Sequence, residues 1–245
     1  MPGVGGHVFN YRELTQRLGD DQPVYGFQPR GLDGKAKPHA TIEATAEEYV
    51  REICAMHADG PYHLAGYSLG GLVVIEMAKQ LAAAGLKVGV LAMLDAHAPG
   101  HPRRRSFAGR LAAHARNFWA KSWREKISYI GQRLLNQVRR DPSPVDTWLS
   151  GAAELSPEMH IVIEAQMAAM ERYRPDPYEG RVMLFRSRDK EAWSEMYVPD
   201  YTLGWGEVVQ GGLDLHWVSG GHLEIFQGEA LETIAHQLSR ALRQQ

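Results

Sequence analysis

The residues best suited to chemistry form one short stretch at positions 66–70, which reads Gly-Tyr-Ser-Leu-Gly. A serine with a glycine two residues away on each side has the spacing of a nucleophile elbow, a sharp turn between a strand and a helix that exposes the serine hydroxyl. The glycines leave no Cβ where this turn brings the backbone close to itself. The pattern predicts that Ser68 is a nucleophile that forms a covalent intermediate with a carbonyl substrate.

The sequence around this stretch predicts the elements that would hold the serine in place. Residues 62–65 form a short apolar run typical of a buried strand, and residues 72–84, rich in Ala, Leu, Met and Val, favour a helix. The N-terminus of that helix would lie beneath the site, where its dipole favours developing negative charge. Strand, turn and helix therefore occur in the order that the motif needs.

A serine hydroxyl is a poor nucleophile at neutral pH, so it needs a base, and the base needs an orienting acid. Among the eleven histidines, His222 is the best candidate for the base. It follows two glycines in a loop between the last predicted strand and the last predicted helix, and such loops at the carboxyl ends of parallel strands face the site. The alternative is a loop histidine without a role.

Two aspartates are candidates for the acid. Asp95 follows an uninterrupted apolar strand, whereas Asp189 follows the next strand and is flanked by Arg188 and Lys190. Asp95 should be more shielded from water, and a shielded carboxylate stabilises an imidazolium better. A solvated surface charge is the alternative for Asp189, but topology alone leaves both aspartates open.

An oxyanion hole needs backbone N–H groups near the nucleophile. Leu69, the residue after Ser68, should supply one of them. The other should come from the early loop at 3–6, which reads Gly-Val-Gly-Gly, and Val4 is its candidate donor. Glycines on both sides would let this backbone approach a tetrahedral intermediate. The alternative for the loop is a flexible N-terminal tail.

The remaining sequence alternates between strand and helix patterns up to residue 99 and again from residue 181. Continuous apolar strands in such an alternation are typical of a parallel sheet covered by helices on both faces. Residues 101–173 show no strand and mostly favour helix, which predicts a helical lid inserted in one domain at 1–245. The further predicted elements are helices at 9–18, 41–57 and 230–242 and strands at 23–27, 87–94, 181–187 and 213–218.

Composition narrows the class of protein. The chain has 245 residues, a formal net charge of −2 and 44% hydrophobic residues, which are the values of an ordinary globular domain and give no charge-based reason to expect nucleic acid as a partner. Cys54 is the single cysteine, so an internal disulfide is excluded. The sequence shows neither a signal peptide nor an apolar run long enough to cross a membrane. We therefore expect a cytoplasmic protein, and we predict no metal site.

Several motifs together resemble one known family. They are Pro-Gly-Val-Gly-Gly at 2–6 with Tyr-Arg at 11–12, Gly-Pro-Tyr-His-Leu-Ala-Gly-Tyr-Ser-Leu-Gly-Gly at 60–71, Tyr-Arg-Pro at 173–175 with Pro-Tyr-Glu-Gly at 177–180 and Leu-Phe-Arg at 184–186, Gly-Trp at 204–205 and Gly-Gly-His at 220–222. The chain resembles the thioesterase domains that terminate nonribosomal peptide and polyketide synthases, over nearly its whole length. The resemblance implies an α/β-hydrolase fold in which the lid covers an acyl channel.

The resemblance also implies a reaction. An acyl or peptidyl chain would arrive as a thioester on the phosphopantetheine arm of a carrier protein, upstream in the same synthase, and the serine would take it as an ester. Water or an internal nucleophile would then release the chain by hydrolysis or cyclisation, and no cofactor would be bound by the domain itself. In the family the acid follows the strand after the elbow helix, which implies Asp95 here.

Two other functions stay open at this point. One is a free-standing carboxylic-ester hydrolase of the same fold, which would not prefer pantetheine thioesters over simple esters. The other is a non-catalytic binding domain, against which the presence of Ser68, Asp95 and His222 argues. The sequence leaves open a terminal synthase domain or a discrete editing thioesterase.

Two further expectations concern the start of the chain and the lid. The family carries a strand directly before the oxyanion loop, so we expect an apolar segment before Met1 to pair with the sheet and stabilise the domain. Residues 101–140 carry eleven Arg and Lys residues against Glu125 alone. This segment is either a solvated helical face or a docking surface for an acidic carrier protein, and clustered arginines favour phosphate binding.

Overall fold

The computed structural model describes residues 1–104, 106, 155–188 and 197–244. The chain divides into two compact units, one of residues 1–102, 157–189 and 200–245 and one of residues 103–156 and 190–199. In the second unit, Arg104 and Tyr197 form an antiparallel bridge. The predicted lid at 101–173 and the basic segment at 101–140 fall largely outside the described residues, so both stay predictions. The elements below all belong to the first unit.

The centre of the first unit is a parallel sheet of four strands. They are β1 (Tyr62–Tyr67), β2 (Val88–Leu94), β3 (Val182–Ser187) and β4 (Leu213–Val218). The strands lie in the order β1-β2-β3-β4, and each neighbouring pair is parallel. All four correspond to predicted strands, and the predicted parallel sheet is confirmed.

Helices cover both faces of this sheet. In the described ranges they are α1 (Arg12–Leu18), α2 (Ile42–Met56), α3 (Leu69–Ala83), α4 (Pro157–Arg172) and α5 (Gly228–Leu242), with 3₁₀ turns at Val8–Tyr11, Trp205–Glu207 and His222–Glu224. Helices α2 and α3 pack together, as do α1 and α5. None of these helices is long and apolar enough to span a membrane.

Strand β2 shows why the central strand is apolar along its whole length. Leu91 and Met93 belong to the core shared with α2 and α3, whereas Val90, Ala92 and Leu94 belong to the core shared with α1 and α5. Successive side chains of a strand point to opposite faces, so burial on both faces needs an uninterrupted apolar sequence. The carboxyl end of β2 therefore lies in the middle of the sheet, directly before Asp95.

The predicted strand at 23–27 is wrong. No strand is formed there, and Val24 and Tyr25 are about half exposed, at 47% and 51%. A strand needs a free sheet edge, but the edge of β1 is occupied near its carboxyl end by Met1. The Met1 amino group donates to Ala65 O at 2.7 Å, and Tyr67 N donates to Met1 O at 3.1 Å. The apolar run at 23–27 instead lies outside the sheet and forms no regular element.

Candidate active site

The elbow has the backbone that its sequence predicts. Ser68 has φ +53° and ψ −121°, outside the regions that a serine ordinarily adopts, and its N–H donates to Leu94 O at 3.0 Å. Helix α3 begins at the next residue. A Cβ on Gly66 would lie 2.2 Å from Gly70 O, so this crossing of the backbone requires glycine. The turn thus holds Ser68 at the carboxyl end of β1, next to the end of β2.

Asp95 and His222 meet at the same edge of the sheet. His222 Nδ1 lies 2.8 Å from Asp95 Oδ2. Only 4% of Asp95 is exposed, whereas the His222 side chain is 41% exposed. An imidazole that donates through Nδ1 keeps Nε2 available as an acceptor. The pair therefore presents a base whose orientation is fixed by a buried acid.

Ser187, at the end of β3, completes the surroundings of the Asp95 carboxylate. The Ser187 N–H donates to Asp95 Oδ1 at 3.0 Å, and its hydroxyl donates to Oδ2 at 3.1 Å. Burial raises the pKa of Asp95, but the hydrogen bonds and charge of His222 and the Ser187 N–H lower it more, so the net pKa lies below the ordinary value. Asp95 is therefore ionised at neutral pH.

Tyr67 contacts both the backbone and the ring of His222. Its hydroxyl donates to His222 O at 2.9 Å, and the two rings stack with centroids 4.8 Å apart. Tyr67 itself packs edge-on against Phe226, with centroids 5.1 Å apart. Because Tyr67 directly precedes Ser68, one peptide bond links the residue that supports the base to the candidate nucleophile.

Sequence reasoning missed the contacts of Ser187 and Tyr67. A signal for Ser187 exists in the strand pattern, since it ends the strand that follows Asp95 in the sheet order. Tyr67 lies inside the elbow motif, but its contact with a residue 155 positions away is not visible in the sequence.

The second candidate acid, Asp189, lies outside the described residues. Within the described residues, the carboxylate that accepts from His222 Nδ1 is that of Asp95. The family resemblance implies the same one.

The loop at 3–6 passes directly beside the elbow. A Cβ on Gly3 would lie 3.2 Å from Ser68 Cβ and 3.1 Å from the Tyr67 ring, so a side chain at this position would crowd both residues. Val4 is the next residue in this loop. Leu69, the other candidate donor, begins α3 directly after Ser68. The structure thus brings both predicted donor residues to the vicinity of Ser68.

The segment after Asp95 is tied to the Gly-Trp motif at 204–205. The indole N–H of Trp205 donates to Ala96 O at 2.7 Å, and Ala98 N donates to Leu203 O at 2.8 Å. Trp205 is fully buried. These bonds fix the backbone that carries Asp95. Across the described ranges, no group of three His, Cys, Asp or Glu side chains is arranged to hold a metal ion.

A parallel sheet with a serine elbow and a histidine–aspartate pair at its carboxyl edge defines a member of the α/β-hydrolase class. The particular family follows from comparison with known proteins. The family model described as thioesterase domain matches residues 1–242. The chain belongs to this family, whose members are hydrolases that act on thioesters.

Relatives of this chain include parts of much larger synthases. It is 29% identical, over 98% of its length, to the dimodular nonribosomal peptide synthase of Bacillus subtilis, and covers 10% of that protein. It is 28% identical, over 95% of its length, to malpibaldin synthetase of Mortierella alpina, and covers 4% of that protein. The chain thus spans a tenth or less of these relatives.

Solved thioesterase structures share the fold. The thioesterase domain of NocB, in a covalent complex with a fluorophosphonate nocardicin G analogue, superimposes with a TM-score of 0.64 at 26% identity, over 98% of this chain and 92% of that one. The RedJ thioesterase of the prodiginine pathway in Streptomyces coelicolor gives 0.66 at 22% identity, over 98% and 87%. The predicted α/β-hydrolase fold is therefore confirmed.

Proposed function

We propose that this domain releases an acyl or peptidyl chain from the phosphopantetheine arm of a carrier protein, through an ester on Ser68. The observation that carries the proposal is the 2.8 Å hydrogen bond between His222 and Asp95 at the edge of the sheet where the elbow holds Ser68. Membership in the thioesterase family supports the thioester as the bond that is cleaved.

In the first half of the reaction, Ser68 Oγ attacks the thioester carbonyl while His222 Nε2 takes the hydroxyl proton. The carbonyl oxygen becomes an oxyanion, to which the N–H groups of Val4 and Leu69 donate. When this intermediate collapses, the C–S bond breaks, and His222 returns the proton to the leaving sulfur. The products are the thiol of the arm and an acyl ester of Ser68.

In the second half, His222 activates the group that releases the chain. This group is water, or a hydroxyl or amine of the chain itself. His222 takes its proton as it attacks the ester, and then gives the proton to Ser68 Oγ as the ester bond breaks. Water yields a free acid, whereas an internal nucleophile yields a ring.

Asp95 acts without gaining a proton. Its carboxylate fixes the imidazole with Nδ1 protonated and stabilises the imidazolium that forms in each half. The two hydrogen bonds from Ser187 hold this carboxylate in place, and the one from its N–H also helps His222 to lower the pKa of Asp95. A low pKa suits the role, because the acid must remain an anion while His222 is charged.

The proposed partner is an acyl or peptidyl carrier protein. The nonribosomal peptide synthase and malpibaldin synthetase relatives are much longer than this chain, which supports a domain that works beside a carrier.

If the basic segment at 101–140 docks the carrier, exchanging Arg103, Arg104 and Arg105 for Glu should slow the reaction of a carrier-bound substrate and spare a small pantetheine thioester. Salt should weaken only the carrier reaction, since 0.1 M salt screens exposed charges beyond about 10 Å. If the substitutions and salt affected both substrates equally, the basic segment would be a solvated face and not a docking surface.

The proposed reaction is tested with one acyl group presented as a pantetheine thioester and as a simple oxygen ester. We expect kcat/KM to be much higher for the thioester. Ser68→Ala should lower turnover on the order of 10⁴-fold or more. Equal rates on both substrates would favour an ester hydrolase, and a Ser68→Ala variant that keeps a tenth of the activity would exclude the serine mechanism.

A further inference from the structure

The loop at 3–6 has a turn that can exist in two forms. Gly6 N donates to Gly3 O at 3.1 Å, which closes a four-residue turn, and Gly5, at its third position, has φ +88°. A positive φ at this position is the mark of a type II turn. Types I and II differ by a flip of the central peptide, which here joins Val4 to Gly5. The orientation of that one peptide sets ψ of Val4 and the direction of the Val4 carbonyl oxygen, whereas the Val4 N–H belongs to the preceding peptide.

One side chain holds the central peptide in its observed orientation. The N–H of Gly5 donates to Gln166 Oε1 at 3.1 Å. Gly5 is buried, so its N–H depends on a partner inside the protein. A flipped peptide would turn this N–H away from Gln166 and direct the Val4 carbonyl oxygen toward it. The contact thus selects one form of the turn.

Helix α4 presents Gln166 as a rigid acceptor. Val162, Gln166 and Ala169 follow one another at spacings of four and three residues, so they lie on the same face of the helix. Val162 is fully buried and Ala169 is 3% exposed, which fixes this face against the core. The last turn is anchored as well, since the Arg172 guanidinium donates to Ala40 O at 2.7 Å.

Gln166 also lies near one residue of the candidate site. It lines a cavity together with Pro2, Leu69 and Val73. Leu69 is the second candidate oxyanion donor, and Pro2 directly precedes the loop. The loop is therefore fixed at two points, by the close contact of Gly3 with Ser68 and by the bond of Gly5 to Gln166.

We infer that Gln166 is a positioning residue: by holding the Val4–Gly5 peptide, it keeps the turn at 3–6 in place, and with it the adjoining Val4 N–H that donates to the oxyanion. The inference rests on the proposed function, because it assigns a support to the oxyanion hole of that mechanism. Gln166 contacts the loop and not the reacting atoms, so its effect must pass through Gly5. Displacement of catalytic groups by about 1 Å can cost up to about 100-fold in rate.

The test compares Gln166→Met with Gln80→Met. Met has nearly the length of Gln but only a weak sulfur acceptor. Gln80 is a matched control, since its half-buried amide ties α3 to the structure by donating to Glu43 O at 3.1 Å and to Glu76 Oε1 at 3.2 Å. We expect Gln166→Met to lower kcat on a pantetheine thioester about tenfold with KM within about twofold, because the turn that carries the Val4 N–H is held less firmly beside the oxyanion. Gln80→Met should keep both values.

A second readout does not depend on thioester turnover. A fluorophosphonate probe reacts with an activated serine and develops charge on the phosphoryl oxygen, so its maximal rate should fall in Gln166→Met by the same factor as kcat. Amide exchange at Gly5 should also accelerate about tenfold in this variant. If Gln166→Met does not fold, Gln166→Asn, whose amide is one methylene short, should show the same losses.

The outcomes separate this inference from the proposed function. A parent protein that reacts with the probe but does not cleave the thioester would contradict the proposed function and still test Gln166. Unchanged kcat, unchanged probe rate or unchanged exchange at Gly5 in Gln166→Met would overturn the inference alone. An equal loss of kcat in Gln80→Met would reduce the effect to general destabilisation and would also overturn it.

Discussion

Two carboxylates are buried in the described part of the chain, and their surroundings differ. Asp95 is 4% exposed and Glu76 is 6% exposed. Glu76 accepts from Lys79 Nζ at 2.9 Å and from the Tyr173 hydroxyl at 2.8 Å, within helix α3 and its core. Asp95 accepts instead from Ser187 and from an imidazole that is 41% exposed.

The difference lies in the partner and in what the partner can do. The Lys79 ammonium has no acceptor function and keeps its proton at neutral pH, so its pair with Glu76 can only hold structure. A neutral imidazole has an acceptor nitrogen beside its donor nitrogen, so His222 can take up a proton while Nδ1 stays bonded to Asp95. Of the two buried carboxylates, Asp95 is thus the one whose partner reaches solvent, as the proposed mechanism requires.

Conversion of each acid to its amide gives the largest expected effect. Asp95→Asn should lower turnover on the order of 10⁴-fold, because an amide neither fixes the imidazole with Nδ1 protonated nor stabilises the imidazolium. Far-UV circular dichroism should show the fold of the parent. Glu76→Gln should keep turnover within about twofold, since no step uses this carboxylate. Similar losses of kcat in the two variants would contradict the claim that Asp95 takes part in the reaction and Glu76 does not.

The free energy of unfolding, unlike turnover, should fall in Glu76→Gln. Glu76→Gln removes the charge that Lys79 and the Tyr173 hydroxyl share, and we expect a loss of about 1–3 kcal/mol in the free energy of unfolding. Lys79 keeps its contact with Asp176 at 3.4 Å, which limits the loss. Urea unfolding monitored by fluorescence measures it. If Glu76→Gln were as stable as the parent, the contacts of the Glu76 carboxylate with Lys79 and Tyr173 would contribute nothing to the free energy of unfolding.

Two tyrosine hydroxyls sharpen the same comparison at smaller amplitude. Tyr67→Phe removes the hydrogen bond to His222 O, so we expect kcat to fall about tenfold through a less well oriented base. Tyr173→Phe removes the bond to Glu76 and should cost about 1 kcal/mol of stability with kcat unchanged. The experiment is steady-state kinetics beside thermal unfolding. A loss of kcat confined to Tyr173→Phe would contradict the assignment.

The smallest expected effect is on the stability of the protein at low pH. The pKa of Asp95 is lowered in the folded protein, so its contribution to stability is complete above the ordinary Asp pKa of about 3.9 and is lost as the pH falls toward the lower folded value. We expect the melting temperature of the parent to fall more steeply below about pH 4 than that of Asp95→Asn. Parallel curves would mean that ionised Asp95 adds no stability.

The sequence predicted the elements of this fold better than its contacts. The continuous apolar run of β2 reflects burial on both faces, which leaves little room for polar residues. In β4, by contrast, Asp214 and His216 alternate with apolar residues. The wrong strand at 23–27 has a suitable composition but no free edge beside it, and edge availability is a property of the assembled sheet. Helix and strand patterns therefore fix local structure without fixing pairing.

The residues of the candidate site that lie within short sequence motifs could be predicted from the sequence. Ser68 and His222 lie in short signatures, whereas the choice between Asp95 and Asp189 rested on resemblance. Their catalytic roles, like the oxyanion roles of Val4 and Leu69, stay predictions. The supports of the site were not predictable, because Tyr67 reaches a residue 155 positions away and Gln166 one 161 positions away.

The covalent intermediate is the most direct test of the central proposal, that Ser68 carries the acyl chain under the control of His222 and Asp95. The parent protein and Ser68→Ala are mixed with an acyl-pantetheine thioester, quenched with acid within the first turnover and weighed by intact-protein mass spectrometry. We expect a gain equal to one acyl group, mapped by peptide fragmentation to Ser68, in the parent and not in Ser68→Ala. An acyl group on another residue, or thioester cleavage by Ser68→Ala at the parental rate, would contradict it.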